Sequence, residues 1–371
     1  HVLDASRAVG VASQLLSEDE SKRSNFILDT KESYADIRRK REQQRRPKQL
    51  DSLALIREQR LALDFSSYQP PVPAKLGVTV LEDYPLADLV DFIDWTPFFS
   101  SWQLAGKFPA ILEDEIVGEA ATKLYADARR MLDQIVREKW LKAKAVFGLF
   151  PAQRSEDDVI IYANEERTKT LARLHFLRQQ RQKAPGKPYY SLADFVASKE
   201  EAPDYIGAFA VTTGHGITPH VKRFEAANDD YSAILLKALA DRLAEAFAEH
   251  LHWRIRREYW GYAHQETLDN DQLIAEKYQG IRPAPGYPAC PEHTEKGTLW
   301  ELLSVEAHCD MSLTESYAMY PAASVSGWYF SHPESRYFGI SGIGPDQAAD
   351  YAARKIWTPE ERKKWLGRLE E

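Results

Sequence analysis

The sequence AKAVFGLF, at residues 143–150, is followed closely by DVIIY at residues 158–162. Both segments are apolar and rich in aromatic and β-branched residues, a composition that favours β-strands. The polar sequence RSED at residues 154–157 lies between them and predicts a turn. A further strand, YIGAFAVTT, is predicted over residues 205–213. These segments predict the main strands of a β-sheet.

Long amphipathic helices separate the groups of strands. The longest is predicted over residues 229–260, because apolar residues recur along it at helical spacing. Its predicted buried stripe comprises Leu236, Leu239, Leu243, Phe247, Leu251 and Ile255. A second long helix is predicted over residues 111–140, with Ile116 and Leu124 on its apolar face. The other predicted elements are a helix over residues 294–308, strands near residues 324–330 and 336–343, and closing helices.

The order of these elements predicts the fold class. Strands occur in groups that long helices separate, and strand and helix do not alternate regularly. The chain is therefore predicted to have an α+β fold, with a largely antiparallel, twisted sheet flanked by long helices.

Composition excludes several classes of protein. The 371 residues carry a net charge of −8, and 28% of them are charged, which argues against a nucleic-acid binder. The chain shows neither an apolar run of ~20 residues nor a signal-peptide pattern, so we predict no membrane partner and a cytoplasmic location. Its two cysteines, Cys290 and Cys309, do not make a disulfide framework. The first residue is His1 rather than Met, and we expect the chain to be a piece of a longer polypeptide.

Three regions are predicted along the chain. Residues 1–20 contain a short apolar strand, a helix cap and an apolar helical run, as at the end of a parallel α/β domain. Residues 21–75 are highly charged and close in a proline-rich strap, which predicts a partly helical linker. Its basic runs, at residues 38–41 and 45–48, fit either a solvated linker helix or an acidic partner. Residues 76–371 are predicted to form a single domain.

The loop GIRPAPGYPACP, at residues 280–291, predicts a small-molecule site. Its prolines restrict the backbone, so the loop is ordered before a ligand arrives and loses little entropy on binding. Gly286 allows a ligand or another backbone to come close. Arg282 offers paired donors to a carboxylate, and Tyr287 adds a hydroxyl and a flat apolar face. The alternative is a proline-rich surface loop with an exposed arginine.

The sequence predicts neither a zinc site nor a nucleophilic hydrolase. Cys290 and His293, together with His308 and Cys309, could supply four zinc ligands, but their spacing departs from known zinc patterns. Ser331 and His332 have no third triad partner at a recognisable spacing, so nucleophilic hydrolysis is not supported. We therefore predict no metal ligands and no catalytic nucleophile.

Several segments occur in the order found in one known family. They are the sequences DWTPFF (94–99), LAGK (104–107), KALADRLAE (237–245), the loop at 280–291 with its continuation HTEK (293–296), and SVSGWYFSHP (324–333). Over roughly residues 76–345 the chain resembles the C-terminal reactivation module of cobalamin-dependent methionine synthases, which binds S-adenosylmethionine (AdoMet). The resemblance makes residues 1–20 the end of a cobalamin-binding domain and residues 76–371 the AdoMet-binding domain. The Asp-x-His-x-x-Gly motif of the cobalamin-binding domain is absent.

The resemblance also implies a set of ligand-binding residues. They are Asp94, Glu245, Arg282, Ala284, Gly286, Tyr287, Tyr337 and Phe338. From the residues alone, two of these have another interpretation. Asp94 could simply cap a turn before Pro97. Glu245 lies at helical spacing with Asp241 and Glu249, and such an acidic stripe is usually a solvated face.

The function implied by the resemblance is a methyltransferase reaction that rescues an inactive cofactor. The module would present AdoMet for reductive methylation of cob(II)alamin held on the cobalamin-binding domain of the same polypeptide. A flavodoxin-like or flavoprotein donor would supply the electron. One alternative is an AdoMet-sensing docking module without its own catalytic role. Another is a free-standing AdoMet methyltransferase, against which the missing glycine-rich strand-to-helix fingerprint counts.

Overall fold

The computed structural model describes residues 11–17, 19–44 and 49–371. The chain divides into two compact units, residues 1–50 and residues 51–371. In the first unit, residues 11–15 form helix α1 and Glu20–Gln44 form helix α2. The strand and helix cap predicted at the start of the chain lie outside the described residues. Within the described residues, no helix is both long and apolar enough to cross a membrane.

The second unit is built on an antiparallel sheet of six strands. The strands of the unit are β1 (Gly77–Tyr84), β2 (Lys142–Ser155), β3 (Asp158–Tyr162), β4 (Thr170–His175), β5 (Asp204–His215), β6 (Ser312–Leu313), β7 (Met319–Tyr320) and β8 (Ser324–Tyr329). The sheet order is β4-β3-β2-β5-β8, with β1 paired to β2, while β6 and β7 pair separately. Every pairing between these strands is antiparallel. The predicted α+β fold with an antiparallel sheet is therefore confirmed.

Helices cover both faces of the sheet. The α-helices of this unit are α3 (Leu53–Glu58), α4 (Thr96–Ser101), α5 (Gly118–Glu138), α6 (Ile217–Ala226), α7 (Asp230–Arg254), α8 (Asn270–Ile274), α9 (Glu295–Leu303), α10 (Val305–Cys309), α11 (Pro345–Lys355) and α12 (Pro359–Leu366). Side chains alternate across β2, so Phe147 and Leu149 join a core that includes residues of α5 and α7. Val146 and Phe150 join a second core that includes residues of α9 and α10.

Helix α7 confirms the strongest helix prediction. The side chain of Asp229 caps its first turn by accepting a hydrogen bond from the backbone N–H of Ser232. All residues of the predicted stripe are buried, from Leu236 to Ile255. The hydroxyl of Thr213 on β5 donates to the carbonyl of Ala240 at 2.8 Å, which joins the helix to the sheet. At Ile255 the helix continues as a π-turn, Ile255–Tyr259.

The helix predicted over residues 111–140 begins later than expected. Its first part forms a 3₁₀ turn, Ala110–Glu113, and α5 starts only at Gly118. The carboxylate of Asp114 accepts hydrogen bonds from the N–H groups of Ile116 and Val117, so these groups do not bond within a helix. Ile116, predicted on the apolar face, is 92% exposed. Leu124 is buried as predicted.

Two other element predictions were wrong in part. The helix over residues 294–308 is interrupted because Ser304 adopts a left-handed conformation, with φ of 49°, between α9 and α10. The strand near residues 336–343 does not form. The N–H of Ile340 instead donates to the carbonyl of Pro288 at 2.8 Å. This segment is therefore bonded to the 280–291 loop rather than to the sheet.

Residues 51–75 belong to the second compact unit. Helix α3 is held by Arg57, whose Nε donates to Asp157 at 2.8 Å, and by the fully buried side chain of Ile56. Further along, the indole N–H of Trp260 donates to the carbonyl of Pro71 at 2.8 Å. The predicted boundary between linker and domain, at residues 75 and 76, therefore does not coincide with the boundary between the two units.

Candidate ligand-binding site

The 280–291 loop is fastened to the edge of the sheet beside β8. Ile281 exchanges two backbone hydrogen bonds of 3.0 Å with Phe330, and the N–H of Trp328 donates to the carbonyl of Pro283 at 2.9 Å. Gly286 has a φ of +93°, and a Cβ at this position would lie 2.5 Å from the ring of His293. The close neighbour that requires a glycine at 286 is thus the side chain of His293, and not the ligand or backbone expected from the sequence.

The side chain of Arg282 is held by three neighbours and is only 19% exposed. Its Nη2 lies 2.7 Å from Oε2 of Glu249, and its Nη1 donates to the hydroxyl of Tyr278 at 2.6 Å. Nη1 also lies 3.4 Å from Nδ1 of His252. Removal from water is the largest effect and would lower the pKa of Arg282, but the charge of Glu249 together with Tyr278, Tyr337 and Tyr329 outweighs it and raises the pKa. The loop therefore carries a fixed cation rather than a freely exposed arginine.

Glu249 is the residue that the sequence placed on a solvated stripe. Asp241 and Glu245, which lie two turns and one turn before it on α7, are exposed, but Glu249 is only 6% exposed. The difference arises because α7 passes under the loop near its end, where Glu249 meets Arg282. Its burial could have been suspected from the sequence, because Ala246, Phe247 and Ala248 directly before it are small or apolar.

Two adjoining cavities, of about 410 and 250 Å³, lie on either side of Arg282. They share Arg282, Glu245 and Glu276 in their walls. The first cavity is strongly charged and is also lined by Asp94, Arg242 and Glu249. The second is mostly apolar and aromatic, and is also lined by Ala284, Tyr287, Tyr337, Phe338, Phe209 and Val325. One cleft thus offers charges at one end and flat apolar surface at the other.

The structure brings together seven of the eight predicted site residues around this cleft. Asp94, Glu245 and Arg282 line the charged cavity, while Ala284, Tyr287, Tyr337 and Phe338 line the apolar one. Gly286 is not in either lining. Glu276, Arg242, Tyr278 and His252 were missed, because nothing in their local sequence marks them and only the folded chain carries them to Arg282.

Asp94 combines the two interpretations given to it from the sequence. Its Oδ1 accepts a hydrogen bond from the N–H of Thr96 at 2.9 Å, so it does cap the turn that starts α4. The same half-buried side chain lines the charged cavity opposite Glu245 and Arg282. The cap fixes the carboxylate, and its other oxygen remains available to a ligand.

The aromatic residues of the apolar cavity differ in how firmly they are held. The hydroxyl of Tyr337 accepts a hydrogen bond from the backbone N–H of Arg282 at 3.0 Å, and burial raises its pKa. Phe338 stacks on Tyr190, with ring centroids 5.6 Å apart. Tyr287 is 62% exposed at the mouth of the cavity. The inner wall is therefore fixed, while a large flat ring remains open to whatever docks outside.

Comparison with known proteins assigns this architecture. Residues 85–356 match the family described as vitamin B12-dependent methionine synthase, activation domain. The chain belongs to this family. A crystal structure described as the MetH reactivation domain bound to AdoHcy shares 55% sequence identity with it, at a TM-score of 0.84. That match covers 86% of this chain and 98% of the other. The resemblance drawn from the sequence is thereby confirmed.

All eight predicted site residues lie within the part of the chain that matches the activation-domain family. In the described residues of this activation domain, no group of three or more His, Cys, Asp or Glu side chains is placed to hold a metal ion. Cys290 and Cys309, which the zinc alternative would have used, are both buried and free. Burial raises the pKa of the Cys309 thiol to about 12.

Proposed function

We propose that this chain is the reactivation module of a cobalamin-dependent methionine synthase, and that it binds AdoMet in the cleft around Arg282. The observation that carries the proposal is a cleft with one fixed cation, several carboxylates and an aromatic end, in a domain 55% identical to one solved with AdoHcy. AdoHcy is the form that AdoMet takes once its methyl group has been transferred.

The charges of the cleft match those of AdoMet. Arg282 would bind the carboxylate of the methionyl group, because a guanidinium offers planar paired donors. Asp94 and Glu245 would face the ammonium and the sulfonium. The backbone at Ala284 and the rings of Tyr337 and Phe338 provide a surface suited to the adenosyl group. Gly286 keeps the loop close to His293 and so contributes to its shape.

The residues of this domain would act by positioning. A sulfonium methyl group is already activated, so the module needs no general base and no nucleophile of its own. Cobalamin on the partner domain would supply the metal that receives the methyl group. Arg282, Asp94 and Glu245 would hold the methionyl group in one orientation, and exposed Tyr287 would face the docked cobalamin.

The proposal includes two partners and a cellular location. The cobalamin-binding domain of the same polypeptide would dock at the mouth of the cleft, and methyl transfer would occur only in that docked state. A flavodoxin-like or flavoprotein donor would deliver the electron that reduces cob(II)alamin. The activity would take place in the cytoplasm.

Titration of the domain with AdoMet tests the binding step. We expect saturable binding that Arg282→Ala weakens by at least ~2 kcal/mol, because the ligand carboxylate loses its charged partner. Arg254→Ala is the matched control, since Arg254 pairs with Glu258 on the same helix and lies outside the cleft. Equal affinity of Arg282→Ala and the wild type would contradict the assignment.

Methyl transfer is tested by adding a cobalamin-loaded partner domain, AdoMet and a chemical reductant. We expect methylated cobalamin to form with the wild-type module and much more slowly with Arg282→Ala. AdoMet binding without any methyl transfer would favour the alternative, an AdoMet-sensing docking module.

A further inference from the structure

The neighbours of Arg282 use only part of the hydrogen-bonding capacity of its guanidinium. Glu249 contacts its Nη2 at 2.7 Å, and the hydroxyl of Tyr278 accepts from its Nη1 at 2.6 Å. A guanidinium has five N–H groups, and the Nε–H of Arg282 has no partner among the described residues. Because Arg282 lines both cavities, part of this cation remains available to a ligand.

The groups that hold Arg282 are themselves fixed. His252, which lies 3.4 Å from Nη1, is fully buried and stacks on Tyr329 with ring centroids 5.1 Å apart. The ring of Tyr278 is covered by the guanidinium of Arg256 at 4.0 Å. Arg256 is fully buried and paired with Glu266 at 2.7 Å. These contacts connect the position of Arg282 to the π-turn that follows α7.

Among the described residues, Glu249 forms one ion pair, and that pair is with Arg282. Its Oε2 contacts Arg282, while its Oε1 is buried and has no hydrogen-bond partner among the described residues. If Arg282 moved away to meet a ligand, Glu249 would lose its countercharge at a place that is only 6% exposed, which is unfavourable even where the cavity solvates part of the carboxylate. A ligand carboxylate is therefore expected to join the pair rather than replace Glu249.

We propose that Glu249 is a positioning residue for AdoMet binding. It fixes the guanidinium of Arg282 with its unoccupied donors toward the cleft, so that the ligand carboxylate meets an arginine that is already oriented. This inference rests on the proposed function, because it requires the methionyl carboxylate to bind at Arg282. The opposite role would be that of a latch. In a latch, Glu249 would compete with the ligand carboxylate for Arg282 and would have to leave Arg282 before the ligand could bind.

The test compares two probes, AdoHcy and 5′-methylthioadenosine. Both carry the adenosine and a thioether, but only AdoHcy has the amino-acid carboxylate. Glu249→Ala is expected to weaken AdoHcy binding by about tenfold or more, because Arg282 is no longer oriented, and to leave 5′-methylthioadenosine binding unchanged. Glu249→Gln keeps an oxygen acceptor at the same place and is expected to restore most of the affinity for AdoHcy.

Glu258→Ala is the matched control. It removes an arginine pair of the same length, 2.7 Å, but with a carboxylate that is 46% exposed and outside the cleft. It should change the affinity for neither probe. If Glu249→Ala does not fold, Glu249→Asp replaces it, because the shorter side chain would draw the guanidinium out of place and weaken AdoHcy binding selectively.

The outcomes separate this inference from the function on which it rests. The positioning role would be overturned if Glu249→Ala bound AdoHcy as tightly as the wild type or more tightly. The same holds for Glu249→Asp if Glu249→Ala does not fold. Tighter binding would point to a latch. The positioning role would also be overturned if Glu249→Ala weakened the binding of AdoHcy and 5′-methylthioadenosine equally, or if Glu249→Gln did not restore AdoHcy binding. If the wild-type domain bound no AdoHcy at all, the proposed function itself would fail.

Discussion

Two arginines in this domain, one buried and one half-buried, have opposite surroundings. Arg178 is 1% exposed and fully satisfied: its Nε donates to Asp157, and its Nη1 and Nη2 donate to Asp194 at 2.6 and 2.7 Å. Its Nη1 also donates to the carbonyl of Tyr189 at 2.7 Å. Arg282 lies at the edge of a cleft with one carboxylate partner and unoccupied donors.

The comparison shows how one residue type can serve structure or binding. Every bond that Arg178 can form is directed to its own domain, so no ligand can add to it. Arg282 keeps part of its bonding capacity for a molecule from outside. The number of unoccupied donors, more than burial or charge, distinguishes the two roles.

The largest effect on stability is expected at the saturated arginine. Arg178→Met would leave Asp194 and part of the Asp157 contacts without a countercharge in a buried site. We expect the free energy of unfolding to fall by about 3–5 kcal/mol. Chemical denaturation at neutral pH measures this loss. A loss as small as that of an exposed pair would show that the network is not structural.

The dependence of this loss on pH provides a further check. Burial alone would raise the pKa of Asp157, but Arg178 and Arg57 outweigh it and hold the pKa below its usual value. A carboxyl with a lowered pKa stabilises the folded state above the pKa of the unfolded chain, about 3.9, and stops doing so as the pH falls through the folded value. The gap between wild type and Arg178→Met should therefore narrow below about pH 4. A constant gap would contradict the charge-based explanation.

A smaller effect is expected at the half-satisfied arginine. Arg282→Met leaves Glu249 without its partner, but water in the adjoining cavity can solvate part of that carboxylate. We expect a loss of about 1–3 kcal/mol in the free energy of unfolding, measured in the same denaturation experiment. For Arg282→Met, the loss in the free energy of AdoMet binding should exceed this loss in the free energy of unfolding. If Arg282→Met destabilised the domain as much as Arg178→Met, the distinction between the two arginines would be lost.

The smallest effect is expected at an exposed ion pair. Lys237 lies 3.6 Å from Glu225, and their side chains are 55% and 51% exposed. Solvent screens such a pair, so Lys237→Met should change the free energy of unfolding by only about 0.2–1 kcal/mol. Thermal and chemical denaturation would both report it. A larger loss of stability for this variant than for Arg282→Met would contradict the proposed order of effects.

Much of the fold could be predicted because it follows from local periodicity. The stripe from Leu236 to Ile255 needed only helical spacing, and β3 needed only the four β-branched or aromatic residues that follow Asp158. The errors occurred where a side chain or another segment competes for backbone groups. Asp114 takes the N–H groups that would have extended α5, and Pro288 takes the N–H that would have placed Ile340 in a strand.

The residues of the site likewise divide into those that local sequence predicts and those that only the folded chain brings together. Arg282 and Tyr287 could be chosen from the sequence because prolines and glycines surround them in a loop that no core requires. The pairing of Glu249 with Arg282 could not be predicted, since it depends on where α7 passes under that loop. His252 and Tyr278 gave no signal, because a fully buried histidine and a tyrosine beside an arginine are recognised only in the folded chain.

The strap from Asp51 to Lys75 has a practical consequence for any shortened form of this protein. The carbonyl of Pro71 satisfies the buried indole of Trp260, and the N–H of Ala74 donates to the backbone carbonyl of the same residue at 3.3 Å. Trp260 directly follows the π-turn that carries Arg256, which covers the ring of Tyr278. Truncation at the start of β1 would therefore loosen the support behind the ligand cleft, and a shortened form that keeps this support has to include the residues from Asp51 onward.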